Sequence, residues 1–268
     1  MKKHTIYSKE HIAYLRGVKR KSWLIGMARF AILFFLLFLW DLSARREWIN
    51  PFITSSPSRI CKTIAELYKS GSLFRHVKTT LGETLLGFFI AVFVGYFIAL
   101  LLWWSDAARR ISEPYLVVLN ALPKIALGPL IIIWFGTGNK AIVFMTVLIG
   151  LIVAILNMLS GFMETDENKI LLLKSMGANK LQILTKLVIP SSQPNFITML
   201  KINVGMAWIG SIMGEYIVSK AGIGYLIVYG GQVFKLDLVM SAVVILCILA
   251  AAMYSLVALL EKLVIKNK

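Results

Sequence analysis

The stretch Glu164–Pro190, ETDENKILLLKSMGANKLQILTKLVIP, decides how the rest of the chain is read. It is a polar-flecked segment between two strongly apolar ones, charged at its start, with Gly177-Ala178 at its middle and Pro190 at its end. Helical spacing puts Leu173, Met176 and Leu184 on one side, with Lys169, Lys174, Lys180 and Lys186 interleaved. Gly177 interrupts that helix, because glycine costs about 1 kcal/mol against alanine in a helix interior. The segment reads as two short helices joined by a turn, held outside a bilayer and docked against something rather than crossing it.

Working outward, the 268 residues are 58% hydrophobic and 16% charged, with a mean hydropathy of +0.77. That is too apolar for a soluble fold of this length. The net charge of +16 raises the question of nucleic acid. Its lysines and arginines, however, lie between apolar runs, as they do at the ends of membrane spans. The bilayer, and no nucleic acid, is the expected partner. Cys61 lies in a polar stretch and Cys247 in an apolar run, and the histidines (His4, His11, His76) are scattered. Neither a disulfide framework nor a metal site is expected, and no cofactor is implied.

Six spans are expected, at about 23–42, 81–104, 114–135, 141–162, 195–218 and 238–260. The first is too long for a signal peptide and lacks a small-residue cleavage site; Trp23 and Trp40 mark its ends as interfacial aromatics do. An amphipathic helix over 58–69 follows, with Ser58 as its cap and Ile60, Ile64, Leu67 and Tyr68 as its buried face. Gly82, Gly87 and Gly95 suit close helix approach in the second span. The third carries Pro123 and Pro129, whose freed backbone groups need protein or water partners, and Lys124, a charge at membrane depth. These prolines fit either a kink for packing or the lining of a pathway. The fifth span carries Lys201, placed to snorkel at the inner face, and Glu215, near the outer end and either wet or paired with Lys220. Residues 219–238, with Gly222, Gly224, Gly230 and Gly231, read as irregular or re-entrant.

The resulting organisation is a basic N-terminal segment (1–22), a first span with its amphipathic helix (23–80), a core (81–260) containing the 164–190 loop, and a basic tail (261–268). Segments 1–22, 105–113, 161–190 and 261–268 carry 16 Lys or Arg, against 10 in 43–80, 136–140 and 216–238. Positive charge favours the cytoplasm, so both termini and the 164–190 loop are expected inside. There is no HExxH, no pair of aspartates in the spans, no histidine inside any expected span and no GxxxxGK[ST] loop. No catalytic residue is assigned, and a transport or scaffold role is what remains.

Gly177 followed nine residues later by Leu187-Val188-Ile189-Pro190 resembles the cytoplasmic signature of ABC importer permease subunits, whose pattern is EAA, three residues, Gly, nine residues, I-x-L-P. Leu171, Leu172 and Leu173 stand where that pattern has EAA. ALPKIALGPLIIIWFGTG (121–138) and MGEYIVSKAGIGYLI (213–227) are similar to the nitrate, sulfonate and taurine branch, as are SSPSRICKTIAELYKSG (55–71) and TLGETLLGFFIAVFVGYFIALLL (80–102). The likeness covers about 50–260. It implies an all-α, six-span permease, N-in and C-in, of the type I importer fold, working as a homodimer in the bacterial plasma membrane. The partners it implies are a cytoplasmic ABC ATPase dimer, which hydrolyses the ATP, and an extracytoplasmic solute-binding protein. Glu164, Leu173, Lys174, Met176, Gly177, Ala178, Leu187, Ile189 and Pro190 are then the ATPase-coupling residues, with Gly177 and Pro190 supplying sharp helix ends. Asn120, Pro123, Lys124, Pro129 and Glu215 are candidates for the translocation pathway. A lysine there suits a small anion such as a sulfonate, taurine or nitrate. The competing reading is a stand-alone ion-coupled secondary transporter, with the proline-bearing span and Glu215 as coupling site.

Overall fold

Inside a bilayer a backbone amide has no water to pair with, so long apolar runs close their hydrogen bonds internally as helices. A computed structural model describes residues 9–265, and the apolar runs are helical throughout. In chain order the elements are α1 (Lys9–Arg45), α2 (Pro51–Thr54), α3 (Pro57–Lys69), α4 (Ser72–Trp104), α5 (Asp106–Ala121), a 3-10 turn (Lys124–Leu127) and α6 (Gly128–Phe135). There follow α7 (Asn139–Met163), α8 (Glu167–Ser175), α9 (Lys180–Ile183), a π turn (Leu184–Val188), α10 (Ile189–Ser191), α11 (Gln193–Val218), α12 (Ile223–Gln232) and α13 (Leu236–Ile265).

Among the described residues, five helices are long and apolar enough to cross a membrane: the Trp23–Arg45 part of α1, then α4, α7, α11 and α13. The sixth span is a broken one. α5 and the Lys124–Phe135 pair meet at an 85° bend, sharper than proline alone imposes on a continuous helix. The all-helical, six-span expectation holds with that change. α4 also starts well before the expected Leu81. Its 33 residues make a rod of about 50 Å, longer than the roughly 30 Å hydrocarbon layer. One consequence corrects the expectation about histidines, since His76 belongs to a spanning helix.

The chain divides into two compact units at Lys62–Thr63. In the first, Ser58 does not cap α3; its hydroxyl and amide both donate to Asp41 Oδ1, at 2.8 and 3.1 Å. Asp41 also pairs with Arg45 at 2.6 Å. On α3, Ile60 is buried and Ile64 and Leu67 are half-buried, whereas Tyr68 is exposed, which corrects its expected place on the buried face.

In the second unit α4, α7 and α11 form the core, joined by Phe88, Val92, Ala154, Met158, Phe162, Met199 and Trp208. Close approach is set by glycine. A Cβ on Gly87 would lie 2.4 Å from Thr146 Cγ2, and one on Gly210 would lie 2.5 Å from Thr146 Cα, so α7 is gripped between α4 and α11 at one level. Gly95 meets Ala154 in the same way, while Gly82 faces open space. Without a hydrophobic drive between helices in lipid, dispersion and interhelical hydrogen bonds hold such a core; Thr84 Oγ1 donates to Ser211 Oγ at 2.7 Å. Lys201 pairs with Glu261 of α13 at 2.6 Å instead of snorkelling. The 219–238 stretch contains a defined helix, α12, whose Ile223 and Leu226 pack on Ala242 and Ile245 of α13.

Candidate functional site

Residues 164–192 leave the end of α7, turn back, and return to the start of α11. Their base is closed by side chains. Glu164 Oε2 accepts from Asn195 Nδ2 at 2.8 Å, and the Thr165 and Ser191 hydroxyls are 3.2 Å apart. Asp166 caps α8 by accepting from the Asn168 amide at 2.9 Å, and Glu167 adds a negative charge in the first turn, where the helix dipole favours it.

The turn after α8 is a Schellman motif. Gly177 has φ +80°, the Ala178 amide donates to Leu173 O at 2.9 Å, and the Gly177 amide donates to Lys174 O at 3.0 Å. This is the sharp end expected of Gly177. Asn179 and Gln182 then form a capping box that starts α9. Pro190 behaves differently from expectation. The helix does not stop there, but widens into the π turn Leu184–Val188, where the Ile189 amide reaches Leu184 O, and continues through Pro190 to Ser191. A π turn re-registers the backbone bonds just ahead of a residue that has no N–H to give.

The segment has two faces. Ile170, Leu173, Ala178, Ile183, Leu184, Val188 and Ile189 pack on the core. Leu171, Leu172, Met176 and Leu181 point away and are 66%, 59%, 74% and 58% exposed. Met176 therefore does not share a side with Leu173 and Leu184, as the spacing predicts, because the Schellman turn rotates it out. Of the other residues expected here, Lys174 and Gly177 are exposed, Leu187 and Pro190 are half-buried, and Glu164 is engaged at the base. The structure adds Lys180, whose Nζ donates to Trp104 O at the end of α4. It also lies 5.7 and 5.3 Å from the Trp103 and Trp104 ring centroids. Near the base, Asn157, Ser160, Glu164, Pro194, Asn195 and Thr198 line a polar cavity of about 180 Å³.

The break between α5 and α6 gathers Asn120, Pro123 and Lys124. Lys124 Nζ donates to Asn120 O at 3.1 Å, so the lysine supplies a donor to a carbonyl that the break frees. Asn120, Pro123 and Pro129 are exposed. Glu215 is not part of this group. It is buried, and its Oε2 accepts the Gly224 amide at 2.6 Å; it is neither wet nor, among the described residues, paired with Lys220. It faces Glu83 of α4, a residue the sequence reading passed over although it is an ionisable group in an apolar run.

With this geometry the chain can be set beside known proteins. Residues 83–266 match the family model described as binding-protein-dependent transport system inner membrane component. The chain belongs to that family. This permease is 33% identical over 195 residues to the formylaminopyrimidine transport permease protein ThiX of Halalkalibacterium halodurans, covering 72% of this chain and 77% of that one. It is 25% identical to the putative aliphatic sulfonates transport permease protein SsuC of Bacillus subtilis, over 93% and 90% of the two chains. Among solved structures, a MetNI methionine ABC transporter chain superposes with a TM-score of 0.65 at 19% identity, covering 73% of the permease and 97% of that chain. A chain of a bacterial alginate ABC transporter gives 0.63 at 15% identity over 93% and 98%. These likenesses establish the type I importer permease fold. The protein is thus an ABC importer permease subunit, multi-pass in the bacterial plasma membrane.

Proposed function

We propose that residues 164–192 are the coupling element of this importer, facing the cytoplasm and seated on a separate ATPase that hydrolyses the ATP. The observation that carries this reading is the outward row Leu171, Leu172, Met176 and Leu181, uncovered on a segment that is otherwise capped, closed at its base and packed on the core. An exposed apolar row of this kind on an ordered element marks an interaction surface. Where the family pattern has EAA, this chain offers leucines, so docking rests on apolar contact more than on an acidic side chain. Asp166 and Glu167 serve the α8 cap, and Glu164 serves the base.

Two copies of the permease would line the pathway, with the broken span contributing Asn120, Pro123, Lys124 and Pro129, and an extracytoplasmic binding protein would deliver the solute. Lys124 keeps two of its three ammonium hydrogens beyond its bond to Asn120, which suits a small organic anion such as a sulfonate or taurine. A second reading, a pyrimidine, is favoured by the 33% identity to a formylaminopyrimidine permease.

The test is co-purification of the tagged chain from gentle detergent, wild type beside Gly177→Asp, followed by uptake in vesicles holding the recovered complex and its binding protein. A companion ATPase lost in the variant, and ATP-dependent uptake of taurine that Lys124→Met reduces, are the expected results. Uptake of formylaminopyrimidine instead selects the second reading. A chain that purifies alone and moves solute on an ion gradient overturns the coupling reading.

A further inference from the structure

We propose that Glu83 and Glu215 form a proton-binding site, in which one proton carried on Glu83 and donated to Glu215 holds α4 against the Glu215–Gly224 turn. Both side chains are almost fully buried, at 3% and 1% exposure; the Thr84–Ser211 hydrogen bond holds α4 and α11 together beside them, and the two carboxyl groups are close enough to interact. Their surroundings are unequal. Glu215 Oε2 accepts the Gly224 amide at 2.6 Å, and the Tyr225 amide follows it in the same turn beside the carboxylate. Gly222, at φ +121°, has no side chain there; a Cβ would fall 2.3 Å from Glu215 Cδ, so the carboxylate rests directly on the backbone of the turn. Glu215 is therefore the better supplied with donors of the two acids.

Glu83 has no such supply. Among the described residues neither of its oxygens has a protein donor, and Glu215 Oε1 also lacks one. Among the described residues no lysine or arginine pairs with either acid. Two ionised carboxylates in this position would leave like charges facing each other out of water, with three oxygens unpaired, and a site of that kind takes up a proton instead. A proton on Glu83 makes that oxygen a donor and gives Glu215 Oε1 its missing partner, so one hydrogen answers two of the three vacancies. The second Glu83 oxygen becomes a neutral carbonyl.

The neighbouring titratable groups do not take this role. His76, two turns before Glu83 on α4, accepts the Gly222 amide on Nδ1 at 2.9 Å, which commits that nitrogen and places its own hydrogen on Nε2. Tyr225 stacks on His76 at 6.0 Å, and Tyr216 on α11 is exposed. α7 presents Thr146 to this region, its one titratable side chain being Lys140 at its exposed start. From α13, Asp237 lies at the start of the helix.

The experiment uses the full-length purified chain. Infrared spectra are expected to show the carbonyl stretch of a protonated carboxylic acid, lost in Glu83→Gln and lost from the wild type as pH is raised. Glu83→Gln, a neutral donor of the same shape, is expected to keep the wild-type thermal midpoint and to remove its alkaline decline, whereas Glu83→Ala lowers the midpoint. A Gln variant as damaged as the Ala variant overturns the proposal. So does a wild-type spectrum without an acid band, a reading that needs no variant to fold. Stabilisation by sodium or lithium at fixed ionic strength, with no acid band, assigns the site to a metal cation and overturns it as well.

Discussion

The α4–α7–α11 core and the 164–192 segment are both helical and both punctuated by glycine, yet they use glycine and apolar surface in opposite ways. In the core, Gly87, Gly95 and Gly210 are required by a neighbour: the atom that a Cβ would strike belongs to α7. In the segment, Gly177 has nothing within 4 Å of its absent Cβ and is required by its own backbone, at φ +80°. Core side chains such as Ala154, Met158 and Met199 are covered completely within the chain, whereas Leu171, Leu172, Met176 and Leu181 are left uncovered. The difference teaches where free energy is realised. The core's contacts are complete in the single chain, and those of the segment's outer row await a partner. Damage in one place should therefore read out as instability and in the other as lost association.

The largest expected effect is in the core. Gly210→Leu drives a side chain at Thr146 Cα, a backbone atom that cannot swing aside, and overpacking of this kind costs about 1–3 kcal/mol or more. Loss of monodisperse protein, or a clear fall in thermal midpoint, is expected, while Gly82→Leu, which enters open space, stays within about 0.5 kcal/mol of wild type. Equal behaviour of the two variants would break the comparison at its first term. Next comes the outer row. Leu171→Asp with Leu172→Asp should leave the midpoint of the isolated chain unchanged but weaken ATPase capture at least about tenfold, since buried apolar anchors of an interface are commonly worth more than 1.4 kcal/mol. A fall in midpoint without loss of capture would show that the row is covered within the chain after all.

Much of this was legible from sequence because bilayer burial leaves so few solutions. Apolar runs of about 20 residues gave five of the spans, and Gly177 gave the turn, since positive φ and a polar flanking helix leave a local signature. What escaped was tertiary. The 85° break needed Leu122-Pro123 and the 3-10 turn together, while the two prolines by themselves admitted a simple kink. A uniform helical period puts Met176 beside Leu173 and Leu184, and the Schellman turn interrupts that period. Pro190 reads as a stop until the π turn ahead of it is seen. Glu83 and Glu215 are 132 positions apart by their numbers, so nothing local announces that they meet. Glu83 did carry a signal, a charge in an apolar run and two turns after His76 on one helix face, which intramembrane ionisable residues always merit.

Gly177 sharpens the comparison from the side of local geometry. Gly177→Ala forces a Cβ into the left-handed region at a cost of about 1–2 kcal/mol, without striking any neighbour. Gly177→Asn, better tolerated at positive φ, should recover part of both the midpoint and the ATPase capture. If the alanine variant binds and couples as the wild type does, the turn is not what presents the outer row.

The smallest effect belongs to Lys180, which touches both regions. Its ammonium lies at the C-terminal end of α4 and over two tryptophan rings. A cation at a helix C-terminus contributes about 0.3–1 kcal/mol, and an exposed cation–π contact about 0.5–1 kcal/mol. Because the lysine is exposed, Lys180→Met should cost the isolated chain about 1 kcal/mol, the lower end of the two together, read as a small drop in thermal midpoint. It leaves Leu171, Leu172, Met176 and Leu181 in place, so ATPase capture should be unchanged. What it removes is the cation that ties α9 to the end of a spanning helix, and solute moved per ATP hydrolysed should fall. Lys180→Arg, which keeps the cation and the ring contacts, should restore that ratio. A Met variant with wild-type transport per ATP would mean that motion of the segment reaches the spans through its core-packed face alone, through Leu173, Ile183, Leu184 and Val188.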